Sequence, residues 1–160
     1  MRIIEHATEA DRQEILNLYK IQLGHEFCPW NEYYPSEEEI DFDLSRDSLI
    51  VMREDGKIIA AISIDDDEAV KSLPYWSEAL KPGGEVSRLA VLPDYQNQGI
   101  AREMINATMD ILRERGFLSI HFLVNRLNTK AMKSYAKLGF DKVGELEIFN
   151  QPMFCYEKKL

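Results

Sequence analysis

The chain has 160 residues, of which 45% are hydrophobic and 29% are charged, and its formal net charge is −9. This length can bury a substantial core and the composition is that of an ordinary globular protein, so we expect one domain over residues 1–160. The negative charge argues against a nucleic-acid partner, which requires a basic surface.

No apolar run approaches the roughly 20 residues that a membrane span needs, and the acidic N-terminus does not resemble a secretory leader. We therefore expect no membrane partner. Cys28 and Cys155 are isolated, which fits a reducing compartment, and we predict a cytoplasmic location. The histidines show no metal-ligand spacing with the cysteines, and His121 is predicted to be a packed residue rather than a ligand.

Periodicity and capping residues predict a strand, two helices and a pair of strands in the first half of the chain. Thr8 is a candidate N-cap, Ser36 and Glu39 form a capping box, and Asp55-Gly56 suits a hairpin turn. The predicted elements are a strand at Arg2–His6, helices from Glu9 to about Leu23 and from Glu37 to about Leu44, strands at Ser48–Arg53 and Lys57–Ile64, and an irregular segment to Pro82 with one helical turn near Tyr75–Leu80.

The segment from Glu85 to Leu92 is rich in apolar residues typical of a strand, and helical spacing begins near Ile100 and ends before Gly116. The segment Gln96–Ala101 is therefore the start of a helix, where unpaired N–H groups and the positive end of the helix dipole favour a phosphate. Gly99 and Ala101 are small enough to let a diphosphate approach the backbone. Neither the P-loop pattern nor the dinucleotide pattern occurs.

A second helix is predicted after a strand at Ser119–Val124. Asn128 is a good N-cap for it and Gly139 a good end. Asn128, Ala131 and Tyr135 share one face of this helix, with a small residue between two polar ones. Strands near Lys142–Phe149 and Met153–Lys159 complete the chain, and their free edge makes a homodimer possible.

Together the segments 85–101 and 128–140 resemble the GNAT superfamily of CoA-dependent N-acetyltransferases. Its pyrophosphate motif, [Q/R]-x-x-G-x-[G/A], is met by Gln96 to Ala101, with Ala in the last place. Its downstream pattern is met by Asn128, Ala131, Tyr135 and Leu138-Gly139-Phe140. The resemblance implies an α+β fold in which a central, mostly antiparallel mixed sheet splays after its fourth strand and is flanked by helices. It also implies acetyl-CoA as co-substrate, and direct transfer of the acetyl group to a primary amine in a ternary complex.

The resemblance assigns roles to particular residues. Backbone groups of Leu89, Ala90 and Val91 would pair with the pantetheine arm of the cofactor. Asn128 would hydrogen-bond that arm, and Tyr135 would lie beside the thioester sulfur. Backbone N–H groups would hold the pyrophosphate, with Arg102 nearby, along Gln96, Asn97, Gln98, Gly99, Ile100 and Ala101.

Glu85 is our candidate for the general base, since a carboxylate base in similar enzymes lies on this strand; the alternative is an ordinary exposed glutamate at the strand entry. Tyr135 would protonate or hydrogen-bond the departing thiolate, or it is only a core aromatic. In residues 24–35, which also include Phe27, the aromatic Trp30, Tyr33 and Tyr34 would enclose the amine by cation–π contact or anchor the loop on the core.

Two other functions fit the same motifs. One is a non-catalytic sensor that binds acyl-CoA, and the other is an acyltransferase that uses a different acyl donor. Glu85, Asn128 and Tyr135 occurring together favour an enzyme over a sensor. The net charge of −9 is compatible with a cationic amine substrate, because a negative field attracts such a molecule.

Overall fold

A computed structural model of the chain describes residues 1–26 and 28–160, so Phe27 lies outside the described residues. The strands are β1 Arg2–His6, β2 Leu49–Glu54, β3 Lys57–Asp65, β4 Gly83–Val91, β5 Ser119–Asn125, β6 Asp141–Ile148 and β7 Gln151–Lys159. The α-helices are α1 Arg12–Lys20, α2 Glu37–Ser45, α3 Glu68–Lys71, α4 Ile100–Glu114 and α5 Thr129–Lys137. Short 3₁₀ turns lie at Glu9–Asp11, Glu78–Leu80 and Pro93–Tyr95.

The strands form one mixed sheet in the order β1-β2-β3-β4-β5-β7-β6. Neighbours pair antiparallel in β1–β2, β2–β3, β5–β7 and β6–β7, while β4 runs parallel to β5. The parallel ladder registers Gly83–Glu85 with Ser119–His121. Such a short ladder fits a sheet that splays after its fourth strand, and the predicted α+β fold with a mostly antiparallel mixed sheet is confirmed.

The chain divides into two compact units, each built from two stretches of sequence. The first unit comprises Met1–Asp65 and Arg88–Thr108. Its core gathers apolar side chains of α1, α2, β2, β3 and the end of β4. Strands β2 and β3 are buried at successive positions, so both of their faces are covered. The buried members are Ala7, Ile15, Leu16, Leu18, Tyr19, Ile40, Leu49, Val51, Ile58, Ala61 and Ala90.

The second unit comprises Asp66–Ser87 and Met109–Leu160. A core cluster here is formed by Val70, Trp76 and Cys155, with Leu73, Tyr75, Leu123, Val143 and Leu146 packed against it. The Trp76 indole donates to the carbonyl of Val70 at 2.8 Å, which satisfies its polar atom within this core. The packing of Val70 and Trp76 with Cys155 anchors segment 66–82 on β7.

Three predicted elements differ from those observed. Helix α1 ends at Lys20 rather than Leu23, because the next amides, at Gln22 and Leu23, bond three residues back instead of four. The segment treated as irregular contains α3, whose N-cap Asp67 accepts a hydrogen bond from Ala69 N at 3.0 Å. The helical turn predicted near Tyr75–Leu80 forms only as a 3₁₀ turn at Glu78–Leu80. The other predicted strands and helices are confirmed to within two residues at each end, apart from the start of the first helix, which forms as a 3₁₀ turn.

No helix among residues 1–26 and 28–160 is both long and apolar enough to cross a membrane.

Gly144 supports the ring of Tyr75 at a point where the register of β6 shifts. A Cβ at residue 144 would lie 2.4 Å from two atoms of that ring, and Tyr75 Oη also donates to Glu145 O at 3.2 Å. We expect Gly144→Ala to lower the free energy of unfolding by about 1–3 kcal/mol through overpacking, measured by urea denaturation. In a Tyr75→Ala background the same change should cost much less, and an equal cost in both backgrounds would contradict the steric explanation.

Candidate functional site

The predicted phosphate-binding segment connects the 3₁₀ turn at Pro93–Tyr95 to helix α4. Asn97 and Gly99 both have left-handed backbones, with φ of 63° and 80°. The amide of Glu103 donates to the carbonyl of Gly99 at 3.1 Å, so the α-helical ladder begins there. Amides of Ile100, Ala101 and Arg102 therefore lie in the first turn, which has no intrahelical acceptor for them.

Positive side chains lie beside this segment. Arg102 Nη2 is 3.4 Å from the position that a Cβ on Gly99 would occupy, so its guanidinium lies against the loop. Arg2 Nη2 donates to Gln98 Oε1 at 2.8 Å. Arg2 also pairs with Glu54 at 3.1 Å, so Arg102 and the helix start are the groups here that suit an anionic ligand. Sequence reasoning missed Arg2, because 96 residues separate it from Gln98.

The end of β4 has one carbonyl that is already fully used. Val91 O accepts from the side-chain amides of Gln22 at 3.0 Å and Gln96 at 3.1 Å. A carbonyl oxygen has two lone pairs, so both are occupied. Ala90 is 3% exposed and packs into the core of the first unit.

Asn128 caps α5 as predicted. Its Oδ1 accepts from Ala131 N at 3.1 Å, which leaves the side-chain amide nitrogen as a donor. Further along the helix, the Tyr135 ring packs on Phe122 with centroids 4.4 Å apart. Burial raises the pKa of Tyr135 to about 12. The phenol is therefore protonated throughout the physiological pH range.

Glu85 is 8% exposed, not an open strand-entry residue, and its Oε1 accepts from Asp67 N at 3.4 Å. It registers with His121 across β4 and β5, and His121 registers with Glu157 across β5 and β7. Registered residues point to the same face of a sheet, so these three form one row. Glu157 is 5% exposed, and its carboxylate accepts from Ser77 N.

His121 is 3% exposed and stacks on Trp76 with centroids 4.3 Å apart. Among the described residues neither of its ring nitrogens has a hydrogen-bond partner. Burial lowers the pKa of His121 to about 4, so the imidazole is neutral at pH 7. Within the described ranges, no group of three or more His, Cys, Asp or Glu side chains is arranged to hold a metal.

The three aromatic candidates of the loop between α1 and α2 have different surroundings. Trp30 packs edge-on against Tyr19, with centroids 5.5 Å apart, and so anchors the loop on the core. Tyr34 accepts at its hydroxyl from Arg88 Nη1 at 3.1 Å. Tyr33 is 78% exposed, which leaves its ring available at the surface.

The sequence-predicted site residues fall into two groups. The first unit carries Trp30, Tyr33, Tyr34, Leu89–Val91 and Gln96–Arg102, and the second unit carries Glu85, Asn128 and Tyr135. Sequence reasoning missed Arg88, whose partners come from three other segments. The signal available in the sequence was an arginine within a mostly apolar strand, because a cation at such a position needs buried partners.

The model of the Acetyltransferase (GNAT) family matches residues 13–140 of the chain. N-alpha-acetyltransferase 30 of Schizosaccharomyces pombe is 35% identical over 57 residues, which are 36% of this chain and 38% of that protein. This chain thus spans well under half the length of that curated relative.

Two solved structures share the fold. Ribosomal-protein-alanine N-acetyltransferase from Brucella melitensis superposes with a TM-score of 0.78 at 22% identity, covering 99% of both chains. The PaiA N-acetyltransferase of Thermoplasma acidophilum, solved in complex with coenzyme A, superposes with a TM-score of 0.77 at 17% identity, covering 100% of this chain and 99% of that one.

Buried His121 makes the folded protein sensitive to acid. Its pKa falls from the ordinary 6.5 to about 4, so between these values the unfolded chain binds a proton that the folded chain does not. Stability therefore decreases as the pH falls through this window. We expect a loss of about 2 kcal/mol between pH 7.5 and pH 5 from this residue.

Urea denaturation of wild type and His121→Phe at both pH values measures this contribution. The variant keeps an aromatic ring against Trp76 but has no titrating group, so its loss should be smaller by about 2 kcal/mol. Both proteins keep the neighbouring carboxylates of Glu85 and Glu157, so the comparison isolates the imidazole. Identical losses would show that His121 titrates normally.

Proposed function

The chain belongs to the acetyltransferase (GNAT) family, and on this premise we propose that it transfers the acetyl group of acetyl-CoA directly to a primary amine in a ternary complex. The observation that carries the proposal is the start of α4. Its first-turn amides follow two left-handed residues and lie beside Arg102, as the binding of a diphosphate requires. We propose that residues 1–160 work as a single N-acetyltransferase domain.

The cofactor roles are proposed as follows. Backbone N–H groups from Gln96 to Ala101 hold the pyrophosphate, and Arg102 adds charge. Backbone groups of Leu89 and Ala90 pair with the pantetheine arm; at Val91 this pairing uses the N–H, because the carbonyl already accepts from two amides. Asn128 donates its side-chain amide to a carbonyl of the arm, since its oxygen is used in capping α5.

Glu85 is proposed as the general base. A primary alkyl ammonium has a pKa near ~10 and must lose a proton before its nitrogen can attack the thioester carbonyl. The Glu85 carboxylate takes that proton, directly or through a water molecule. The neutral nitrogen then attacks the thioester carbonyl, loses its second proton to solvent, and the C–S bond to coenzyme A breaks as the amide forms. A carboxylate that is 8% exposed is shielded from bulk solvent, which favours proton transfer from a bound amine.

Tyr135 is proposed to stabilise the departing thiolate by a hydrogen bond rather than by giving up its proton. The pKa of the phenol is raised to about 12, and that of a thiol is near ~8.5. The phenol therefore holds its proton far more tightly than the thiol would. The thiolate instead receives the donated hydrogen bond while it is formed, and it takes a proton from solvent after release.

The acceptor is proposed to be a cationic amine, either a small molecule or a peptide amino group. The net charge of −9 supports a cation, and Tyr33 and Tyr34 lie in the loop proposed to contact it. Trp30 contributes by fixing that loop, because it is packed against Tyr19. Cytoplasmic location and a homodimer stay predictions; β6 is an edge strand at which two copies could pair.

Gly99→Ala tests the phosphate-binding loop. Wild type should be stabilised thermally by acetyl-CoA and release coenzyme A thiol in the presence of an amine panel. Ala strains the left-handed backbone at residue 99, so the Kd for coenzyme A should rise about tenfold by calorimetry.

Gly56→Ala is the matched control, because Gly56 has a φ of 85° in the β2–β3 turn and no atom within 4 Å of an added Cβ. It should lose similar stability and keep its affinity for coenzyme A. Binding by wild type without turnover of any amine would favour a sensor, and no binding at all would refute the proposed function.

Glu85→Gln tests the general base. We expect kcat to fall by about 100-fold or more, with the acidic limb of the pH–rate profile lost and coenzyme A affinity retained. Glu157→Gln is the control, since Glu157 is a buried carboxylate in the same row and should keep kcat within about twofold. An unchanged profile for Glu85→Gln would exclude Glu85 as the base.

A further inference from the structure

Arg88 combines two unusual properties within β4. Its backbone is left-handed, with φ of 50°, a conformation that side chains other than glycine rarely adopt inside a strand. Its side chain is only 5% exposed, and buried guanidinium groups occur almost only where they are paired. Both properties need partners that hold the residue in place.

Those partners come from three separate segments of the first unit. Arg88 Nη2 donates to both carboxylate oxygens of Asp43 in α2, at 3.0 and 3.1 Å. Arg88 Nη1 donates to Asp65 at the end of β3 and to the hydroxyl of Tyr34 in the loop between α1 and α2, each at 3.1 Å. A guanidinium bound at both terminal nitrogens is fixed in orientation as well as position.

Asp43 is itself fully enclosed. It is 0% exposed, and it also accepts from Ser63 Oγ at 2.5 Å and from Arg46 Nη2 at 2.8 Å. A buried carboxylate that accepts four hydrogen bonds from three donor groups has no freedom to move away from Arg88. The network therefore transfers the rigidity of α2 and β3 to the strand that contains Arg88.

The first consequence of this network concerns the backbone of β4 itself. A left-handed residue interrupts the pleat, and the alternation of side chains begins again after it. The direction of the peptide groups of Leu89–Val91 thus depends on how Arg88 is held. These are the groups proposed to pair with the pantetheine arm.

A second consequence concerns the loop between α1 and α2. Asn31 and Tyr34 form a tight backbone pair, with N–H to carbonyl distances of 3.1 and 3.2 Å. Arg88 holds the hydroxyl of Tyr34. The guanidinium therefore fixes the position of this turn, which carries residues proposed to contact the acceptor amine. One side chain therefore contacts both the strand proposed for the cofactor and the loop proposed for the amine.

We infer that Arg88 is a positioning residue for acetyl transfer, which sets the geometry of Leu89–Val91 and of the Tyr34 loop at the same time. The inference rests on the proposed function for its kinetic consequences. A purely stabilising role is the competing explanation, and buried ion pairs are generally weak evidence for stability alone.

Arg88→Lys and Tyr34→Phe separate these explanations. Lysine keeps the charge and loses the fork, so the Kd for coenzyme A and the KM for the amine should each rise about tenfold. Tyr34→Phe removes only the hydroxyl that Arg88 contacts, so the KM for the amine should rise while the Kd for coenzyme A stays the same. Ser63→Ala removes another hydrogen bond to Asp43 and should leave both constants within about twofold.

Hydrogen–deuterium exchange supplies a readout that does not depend on activity. Arg88→Lys should speed exchange in peptides covering Leu89–Val91 and in those covering Asn31–Tyr34, whereas Ser63→Ala should speed it in neither. If Arg88→Lys does not fold, Asp65→Asn, which weakens the bond to Nη1, takes its place with the same criteria.

The outcomes are distinguishable. Wild type that fails to bind coenzyme A refutes the proposed function, and the exchange experiment still decides whether Arg88 holds both segments. Wild type that binds and turns over, with an Arg88→Lys variant that is less stable but unchanged in Kd, KM and local exchange, overturns the inference.

Discussion

Strand β4 contains a charged residue that is buried in the first unit and that also has a left-handed backbone. Both are possible at Arg88 because Asp43, Asp65 and Tyr34 accept hydrogen bonds from the two terminal nitrogens of its guanidinium. Burial alone would disfavour the charge, and the two carboxylates and the phenol outweigh it, so the pKa of Arg88 is raised. The peptide groups proposed to meet the cofactor follow directly from this residue.

The hydrogen-bonding state of the other candidate residues narrows what each can do. The Val91 carbonyl is saturated by two glutamine amides, and the Asn128 oxygen is used by the first turn of α5. The raised pKa of Tyr135 keeps that phenol protonated at physiological pH, so it has a hydrogen to donate. Each of these limits arises from packing or helix capping. The local fold therefore determines which donors and acceptors remain available to a ligand.

The sequence was sufficient to predict features that depend on neighbouring residues. Helix α4 behind Gly99, the Asn128 cap of α5 and the Asp55-Gly56 hairpin all follow from residues within a few positions of one another. The family resemblance was confirmed for the same reason, since its two motifs are local. The roles of Glu85, Tyr135 and the cofactor-binding residues remain proposals.

Features that depend on distant residues could not be predicted in this way. Arg88 finds its partners 23, 45 and 54 positions away, and no periodicity in β4 indicates them. The row of Glu85, His121 and Glu157 exists only because β4, β5 and β7 are neighbours in the sheet. Tertiary packing also orders segment 66–82, because Val70 and Trp76 pack with Cys155 of β7 in one core cluster.

The residue that caps α5 has two separate properties, an oxygen that accepts from the helix and a nitrogen that is able to donate. Aspartate would begin this helix as well as asparagine does, because either side chain offers an oxygen to the amide of Ala131. Only asparagine also has nitrogen-bound hydrogens to spare. A variant with aspartate at residue 128 would thus keep the cap of α5, while losing the donor that is proposed to bind a carbonyl of the cofactor.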